Sequence, residues 1–200
     1  MKAVKLFTAV VVGALVLSVI SMPAAAKDKS KSIEQYQANG MVQAGAGGAR
    51  TSMVEINIYR WSTDEEKAEI QAAIIEQTNT VKERRMVASA LRGQKKAGFV
   101  FIAGQRGYPL RYSAEFKIDG GRQIILATDR PVSFQEAYQD SLMKDFDVSI
   151  MLLEVDDDGN GKGLLSMGTE VVWNEADGKI EVTNVTSQPI VLENVRRVDK

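Results

Sequence analysis

Residues 112–127 spell YSAEFKIDGGRQIILA, a sequence that predicts a β-hairpin. Apolar residues occupy every second position of its first half: Tyr112, Ala114, Phe116 and Ile118. This period-2 pattern is typical of a strand with one buried face and one face in water. The glycines at 120 and 121 favour a tight turn, and the apolar run at 124–127 forms the returning strand. Two antiparallel strands joined by a short loop are therefore expected.

The chain adds further strands on both sides of this hairpin. Apolar or alternating segments lie at 54–58, 99–103, 148–155, 164–173, 179–185 and 190–198. The unbroken apolar run at 99–103 is expected for a strand covered on both faces. Turn-rich connections of hairpin length separate the later strands, which favours antiparallel pairing.

Two helices are predicted after the first of these strands, over residues 62–78 and 81–91. Ser62 is the expected N-cap, and Glu65 three residues later completes a capping box. Helices segregated from antiparallel strands describe an α+β fold. We therefore predict an antiparallel β-rich sandwich or barrel-like domain of about eight strands, with a helical pair inserted after the first strand.

The first 26 residues have the features of a secretory signal peptide. Lys2 and Lys5 precede an apolar run from 6 to 20, and the alanines at 24–26 form a small-residue cleavage site. The run is shorter than the ~20 residues that span a bilayer comfortably, although an uncleaved membrane anchor is the alternative. We expect cleavage near Ala26, a periplasmic or secreted protein, and no stable membrane span afterwards.

The segment 27–50 is polar at its start and rich in glycine at its end. Such a composition predicts a flexible leader, or at most one loosely docked strand. The expected organisation is therefore a signal peptide at 1–26, a leader at 27–50 and a single β-rich α+β domain at 51–200.

The composition excludes several classes of protein. The chain has no cysteine and no histidine, so it cannot form disulfides, thiolate zinc sites or a histidine-based catalytic triad. Of its 25 basic residues, Lys2 and Lys5 leave with the signal peptide, so 23 remain against 26 acidic residues, a net charge of −3. No nucleic-acid partner is expected for such a chain.

Four segments carry a resemblance: IYRWSTDEE at 58–66, GYPLRY at 107–112, LATDRP at 126–131 and QPIVL at 188–192. They resemble, in this order, elements of a family of uncharacterised exported bacterial proteins, and the likeness extends over residues 51–198. The resemblance implies export and a single domain. It implies no catalytic residue, because that family has no established activity.

The acidic segment DDDGNG at 156–161 has the ligand spacing of a calcium loop. Asp156, Asp158 and Asn160 match ligand positions 1, 3 and 5, and Gly161 matches the glycine at position 6. Met167 stands where a bidentate glutamate is needed, and the flanking segments read as strands rather than helices. An acidic hairpin turn is the competing interpretation. Calcium is the one cofactor that the sequence suggests, and no other is expected.

Four arginines lie on or beside adjacent predicted strands: Arg106, Arg111, Arg122 and Arg130. Converging guanidiniums bind a carboxylate or phosphate through paired hydrogen bonds. This predicts a ligand-binding groove formed by Arg106, Tyr108, Arg111 and Arg130. Solvated or ion-paired charges at strand edges are the competing interpretation.

Asp129 follows the apolar strand at 124–127 and is the candidate acid or base of an enzyme. Its competing role is a structural pair with Arg130. Two functions follow from the whole sequence. The first is a non-enzymatic, exported binding or scaffolding domain whose partner is an envelope component or protein. The alternative is a small carboxylate-dependent hydrolase of envelope glycans, which needs two acids about 5–10 Å apart in a cleft.

Overall fold

Ten strands and two helices occupy the residues that the computed structural model describes, which are 31–44, 48–76, 81–103, 107–132, 148–167, 169–185 and 189–198. The first half contains β1 (Glu34–Ala44), β2 (Gly48–Ile58), α1 (Asp64–Glu76), α2 (Val81–Gly93), β3 (Gly98–Ile102) and β4 (Tyr108–Ile118). The second half contains β5 (Gly121–Thr128), β6 (Ser149–Val155), β7 (Asn160–Met167), β8 (Thr169–Asn174), β9 (Lys179–Val185) and β10 (Ile190–Arg197). The signal peptide predicted at 1–26 lies outside the described residues.

Eight strands close into an antiparallel barrel in the order β1-β10-β7-β6-β5-β4-β3-β2, and β2 pairs again with β1. β8 and β9 form a separate two-stranded sheet. The predicted α+β class and eight-stranded barrel are therefore confirmed. The helical pair follows β2, which corresponds to the first predicted strand, at 54–58.

β1 lies within the segment 27–50, for which we predicted a flexible leader or at most one loosely docked strand; the structure has a strand there, and it is paired on both sides. β1 pairs with β2 along its whole length, starting with Glu34 opposite Ile58, and it pairs with β10 on its other side. The alternating pattern is weak because, among the β1 residues whose burial is described, the buried apolar side chains are Tyr36 and Ala38, which lie between polar neighbours. The domain therefore includes β1 and does not begin at residue 51.

The barrel interior is filled by apolar side chains from all eight strands. Fully buried examples are Tyr36, Val54, Ile56, Val100, Leu110, Ile124, Leu126, Leu153 and Leu192. Since side chains alternate along a strand, β5 sends Ile124 and Leu126 inward and sends Ile125 and Ala127 outward. Each buried aliphatic side chain stabilises the fold by about 1.5–3 kcal/mol relative to an exposed one.

A second apolar layer lies outside the barrel, where the helices and the β8–β9 sheet cover the outer faces of β4, β5 and β6. Ile70 and Ile74 of α1 pack in this layer with Leu91 of α2. Their partners on the barrel include Ile125 and Ile150. The helices therefore shield only part of the barrel's circumference.

Tyr112 is fully buried in this outer layer, and its hydroxyl has no hydrogen-bond partner among the described residues. Burial raises the pKa of its phenol to about 12. An unpaired buried hydroxyl costs about 1–3 kcal/mol. We therefore expect Tyr112→Phe to leave the free energy of unfolding unchanged or to raise it by about 1 kcal/mol, as measured by urea unfolding. Tyr36→Phe, which removes a bonded hydroxyl, is the control and should destabilise; a comparable loss in Tyr112→Phe would contradict the assignment.

The first turn of α1 is capped one residue later than predicted. Thr63 Oγ1 accepts a hydrogen bond from the Glu66 amide at 3.3 Å, and Glu66 Oε2 accepts one from the Thr63 amide at 2.9 Å. The capping box is therefore Thr63 with Glu66, not Ser62 with Glu65. Ser62 is used elsewhere, because its Oγ accepts a hydrogen bond from the Ser113 amide of β4 at 3.0 Å.

Arg60 and Glu66 form a two-point ion pair that joins the end of β2 to α1, with both N···O distances at 2.7 Å. The hydrogen bonds from Arg60 hold the pKa of Glu66 below its ordinary value of 4.5. A depressed carboxyl pKa stabilises the fold at neutral pH, and this stabilisation is lost as the pH falls below 4.5 through the folded-state value. We expect Glu66→Gln to lower the free energy of unfolding by about 1 kcal/mol at neutral pH and by less in acid.

Urea unfolding at neutral pH and well below pH 4.5 measures this difference. Glu175→Gln, in the exposed turn between β8 and β9, is the matched control and should change little at either pH. A deficit of Glu66→Gln that is the same at both pH values would contradict the role of the ionised carboxylate.

Candidate functional site

The outer face of β1, β2 and β3 lies away from the helical layer, which packs on β4, β5 and β6. Two large apolar side chains are exposed there, Met53 at 55% and Phe101 at 37%. The prediction that the strand at 99–103 is covered on both faces is therefore wrong for its outer face. We name this face the outer wall and define it by Gln35, Gln37, Met53, Glu55, Asn57, Tyr59, Phe99 and Phe101.

Three aromatic rings follow one another along the outer wall. The rings of Phe99 and Phe101 are stacked, with centroids 5.8 Å apart and planes at 24°. Tyr59 lies 6.0 Å from Phe99 in a tilted arrangement, and the Lys96 ammonium lies 5.4 Å from the Phe99 centroid. Gly107 supports the stack, because a Cβ at that position would stand only 2.4 Å from the Phe101 ring. The result is a semi-exposed aromatic platform on a rigid sheet.

A cluster of amides and one carboxylate lies beside these rings. Glu55 Oε1 accepts a hydrogen bond from Gln35 Nε2 at 2.9 Å and another from Asn57 Nδ2 at 2.8 Å. The strand register places Glu55 opposite Phe101 and Asn57 opposite Phe99. The hydrogen-bonding side chains of β1 and β2 therefore lie beside the aromatic rings of β3.

A groove of about 560 Å³ continues the outer wall toward β10 and β7. Its polar lining is Gln37, Asn39, Asn160, Asn194 and Arg196. Met53 lies at its edge and also belongs to the outer wall. The groove coincides with a β-bulge in β10, where Asn194 adopts a left-handed backbone with φ of 52°. We name it the bulge groove.

An ionic network closes one end of the barrel. Arg122 on β5 donates hydrogen bonds to Glu34 Oε1 at 2.8 Å, to the Tyr36 hydroxyl at 2.7 Å and to Glu115 Oε2 at 2.6 Å. The Tyr36 hydroxyl in turn donates to Glu34 Oε2 at 2.8 Å. Because β1 and β5 are four strands apart in either direction around the barrel, Arg122 connects opposite walls.

The electrostatics of this network are those of a structural ion pair. Burial disfavours the charged guanidinium, but hydrogen bonds from Arg122 to Glu115 and Glu34 outweigh it and raise the pKa of Arg122. Burial and the hydrogen bond to Glu34 raise the pKa of Tyr36. Glu34 and Glu115 both accept hydrogen bonds from Arg122. They are therefore not placed as a free acid and a free base on either side of a substrate.

The structure describes three of the four residues of the predicted ligand-binding groove. Arg106 lies outside the described residues, and Tyr108 packs at the margin of the barrel core. Arg111 Nε lies 3.3 Å from Asp129 Oδ2, and Arg130 Nε lies 3.2 Å from Asp129 Oδ1. Arg111 and Arg130 therefore meet on a carboxylate of this chain, which is the ion-paired arrangement of the competing interpretation.

Asp129, the candidate catalytic acid, is 2% exposed. Both of its oxygens face guanidinium groups, one from Arg111 and one from Arg130. Two guanidinium groups therefore donate to this carboxylate. Its burial and its contacts are those of a structural ion pair. The hydrolase hypothesis gains no second acid from these contacts.

The calcium candidates occupy the hairpin between β6 and β7. Asp156 Oδ1 accepts a hydrogen bond from the Asn160 amide at 2.8 Å, and Gly159 has φ of 82°. Asp158 and Asn160 are exposed. Within the described ranges, no group of three acidic side chains is arranged to hold a metal ion. Calcium binding stays a prediction.

Sequence reasoning missed the outer wall and the role of Glu34. Gln35 and Gln37 fell in the supposed leader, so their pairing with β2 was not foreseen. Because side chains alternate along a strand, the sequence places Phe99 and Phe101 on the same face. Whether that face is covered depends on where the helices pack, which the sequence does not show.

No family model matches the chain, and neither the curated proteins nor the solved structures contain a significant match. The resemblance to an exported bacterial family therefore stays a prediction. Among the described helices, none has the length and apolar character needed to cross a membrane.

Proposed function

We propose that this chain is an exported, non-enzymatic domain that binds an extended polysaccharide of the cell envelope along the outer wall. The observation that carries the proposal is the stacked pair of the half-buried Phe99 and the exposed Phe101 beside the hydrogen-bonded Glu55. Export rests on the signal peptide predicted at 1–26.

The chemistry of the outer wall suits sugar rings. A pyranose presents an apolar face of C–H groups, which packs on the negative face of an aromatic ring. Its hydroxyls both donate and accept hydrogen bonds, and side-chain amides and carboxylates offer the matching acceptors and donors. Phe101 supplies the first kind of contact, and Gln35 and Glu55 supply the second, while the buried Asn57 orients Glu55 by donating to it.

A protein partner fits this surface less well. Cores of protein–protein interfaces are depleted of charged residues, whereas Glu55 lies in the middle of the outer wall between two amide donors. Burying it under an apolar partner would remove it from water without a cation to pair with it. Sugar hydroxyls would instead replace the lost water.

The non-enzymatic part of the proposal rests on how the carboxylates are used. Hydrolysis of a glycosidic bond by the usual route needs two acids on either side of the bond. The outer wall as defined contains one, Glu55, which accepts two amide hydrogen bonds. Glu34 and Glu115 lie at the barrel end and are joined through Arg122.

Retention on insoluble polysaccharides tests the proposal. The mature protein is passed over cellulose, chitin, cross-linked polygalacturonate and purified cell-wall glycan, with retained protein measured by absorbance. We expect retention on at least one of these that soluble fragments of the same polymer reverse. Failure to bind any of the four, or release of reducing sugar at a rate above the protein-free blank, would overturn the proposal.

A further inference from the structure

The bulge groove contains an arginine, Arg196, that has no acidic partner among the described residues. Arg196 makes one polar contact in the described chain, from its Nη2 to Gln37 Oε1 at 3.3 Å, and it forms no ion pair there. By contrast, Arg111 and Arg122 each pair with a carboxylate of this chain. Arg196 is exposed, so its remaining N–H donors point to an open groove rather than to a structural acceptor.

The backbone of β10 is irregular at this place. Between Leu192 and Val195, β10 has one more residue than β7 opposite it, and the same extra residue appears against β1. Asn194 adopts the left-handed conformation within this bulge, with φ of 52°. Bulges re-aim side chains and are common beside binding sites, and a strained residue points to function when the fold holds it in place.

The lining of the groove is suited to an anion. Its side chains are amides, small or apolar groups and the Arg196 guanidinium, and no aspartate or glutamate is among them. Asn160 lies opposite Arg196 on β7, and Asn39 lines the same groove opposite Glu193; both amides can donate further hydrogen bonds. A guanidinium binds a carboxylate more strongly than it binds a neutral acceptor, because the hydrogen bond is charge-assisted.

The bulge groove and the outer wall form one surface. Met53 and Gln37 belong to both, and Gln37 lies opposite Glu55 on one side and Arg196 on the other. A chain whose rings stack on Phe99 and Phe101 therefore extends over Met53 into the groove. Phe101, Glu55, Gln37 and Arg196 lie opposite one another on successive strands, so Arg196 is three strand spacings, about 14 Å, from Phe101.

From this geometry we infer that the bulge groove binds a carboxylate group carried by a sugar ring, so that the ligand class is an acidic polysaccharide. The inference rests on the proposed function of the outer wall. Arg196 supplies the charge-assisted hydrogen bonds, and Asn39 and Asn160 supply neutral ones. The aromatic platform binds the neighbouring rings through their C–H faces.

Calorimetric titration with two matched probes tests the inference: hexagalacturonate and the same oligosaccharide with every carboxylate methyl-esterified. We expect the mature protein to bind the acid form about tenfold to thirtyfold more tightly. Arg196→Gln should bind both forms with the affinity that the wild type has for the ester. Arg92→Gln, an exposed arginine near the end of α2, is the control and should keep the preference.

The outcomes separate this inference from the proposed function. Equal affinity of the wild type for both probes, or an undiminished preference in Arg196→Gln, would overturn the acidic ligand class while the outer wall still binds sugar. If neither probe binds, the acidic ligand class is overturned, and retention on the other insoluble polysaccharides decides the proposed function separately. Polyglutamate should compete only weakly; if it binds as tightly as hexagalacturonate, the ligand is an acidic peptide and the inference is wrong.

Discussion

Replacing Arg122 by methionine is expected to lower the free energy of unfolding by about 3–5 kcal/mol, because it removes one member of a mostly buried ion pair. Glu34 is 10% exposed and would lose its closest cation. The Tyr36 hydroxyl would lose a donor at 2.7 Å. Chemical unfolding of the purified protein measures the loss, with circular dichroism confirming that the barrel still forms.

Two further variants make this prediction specific. Arg196→Met removes an exposed arginine that has no ion pair in the described chain and should cost less than about 0.5 kcal/mol. Glu34→Gln combined with Arg122→Met should recover part of the loss, because the mostly buried residue 34 then carries no charge, while Glu115 is exposed to water. A cost for Arg122→Met as small as that of Arg196→Met would show that the network does not hold the two walls together.

Changing both Phe99 and Phe101 to alanine is expected to weaken polysaccharide binding at least a hundredfold. Each ring contributes apolar area and a stacking face, and about 1.4 kcal/mol per ring corresponds to tenfold in affinity. The measurement is a titration of wild type and variant with soluble fragments of the polymer that retains the wild type. The thermal melting temperature of the variant shows whether the barrel is intact.

Ile75→Ala is the matched control for the two phenylalanines. Ile75 is 57% exposed on α1, which packs on the opposite side of the barrel from the outer wall. It should bind like the wild type. If Ile75→Ala and the double variant lose affinity equally, the loss comes from stability or nonspecific adhesion rather than from the aromatic platform.

The parts of the fold that the sequence predicted are those fixed by local patterns. The hairpin of β4 and β5 was predicted from its alternating residues and from the glycines at its turn, and the two strands pair with Ile118 opposite Gly121. The helical pair is marked by apolar spacing and by acids in its first turn. β1 was missed because the glycine-rich flank and the polar residues around Tyr36 give a weak local signal, whereas its stability comes from pairing with strands far along the chain.

The same distinction explains what was missed at the sites. Ser62 and Thr63 are both good N-caps, and the choice is made by Ser113 of β4, which bonds Ser62. The sequence shows Arg122 as a charged residue beside a predicted strand, but it does not show its partner Glu34, which is 88 positions away. Exposure of Phe101 depends on which side of the barrel the helices cover, a tertiary property that no local pattern contains.

Amide chemical-shift mapping of the isotope-labelled mature protein, titrated with the soluble polysaccharide fragment that it binds, tests the central claim most directly. We predict the largest shifts on β2 at Met53, Glu55 and Asn57 and on β3 at Phe99 and Phe101, with smaller ones along β1. Shifts confined to α1 and α2, or to the barrel end around Arg122, would contradict the assignment of ligand binding to the outer wall.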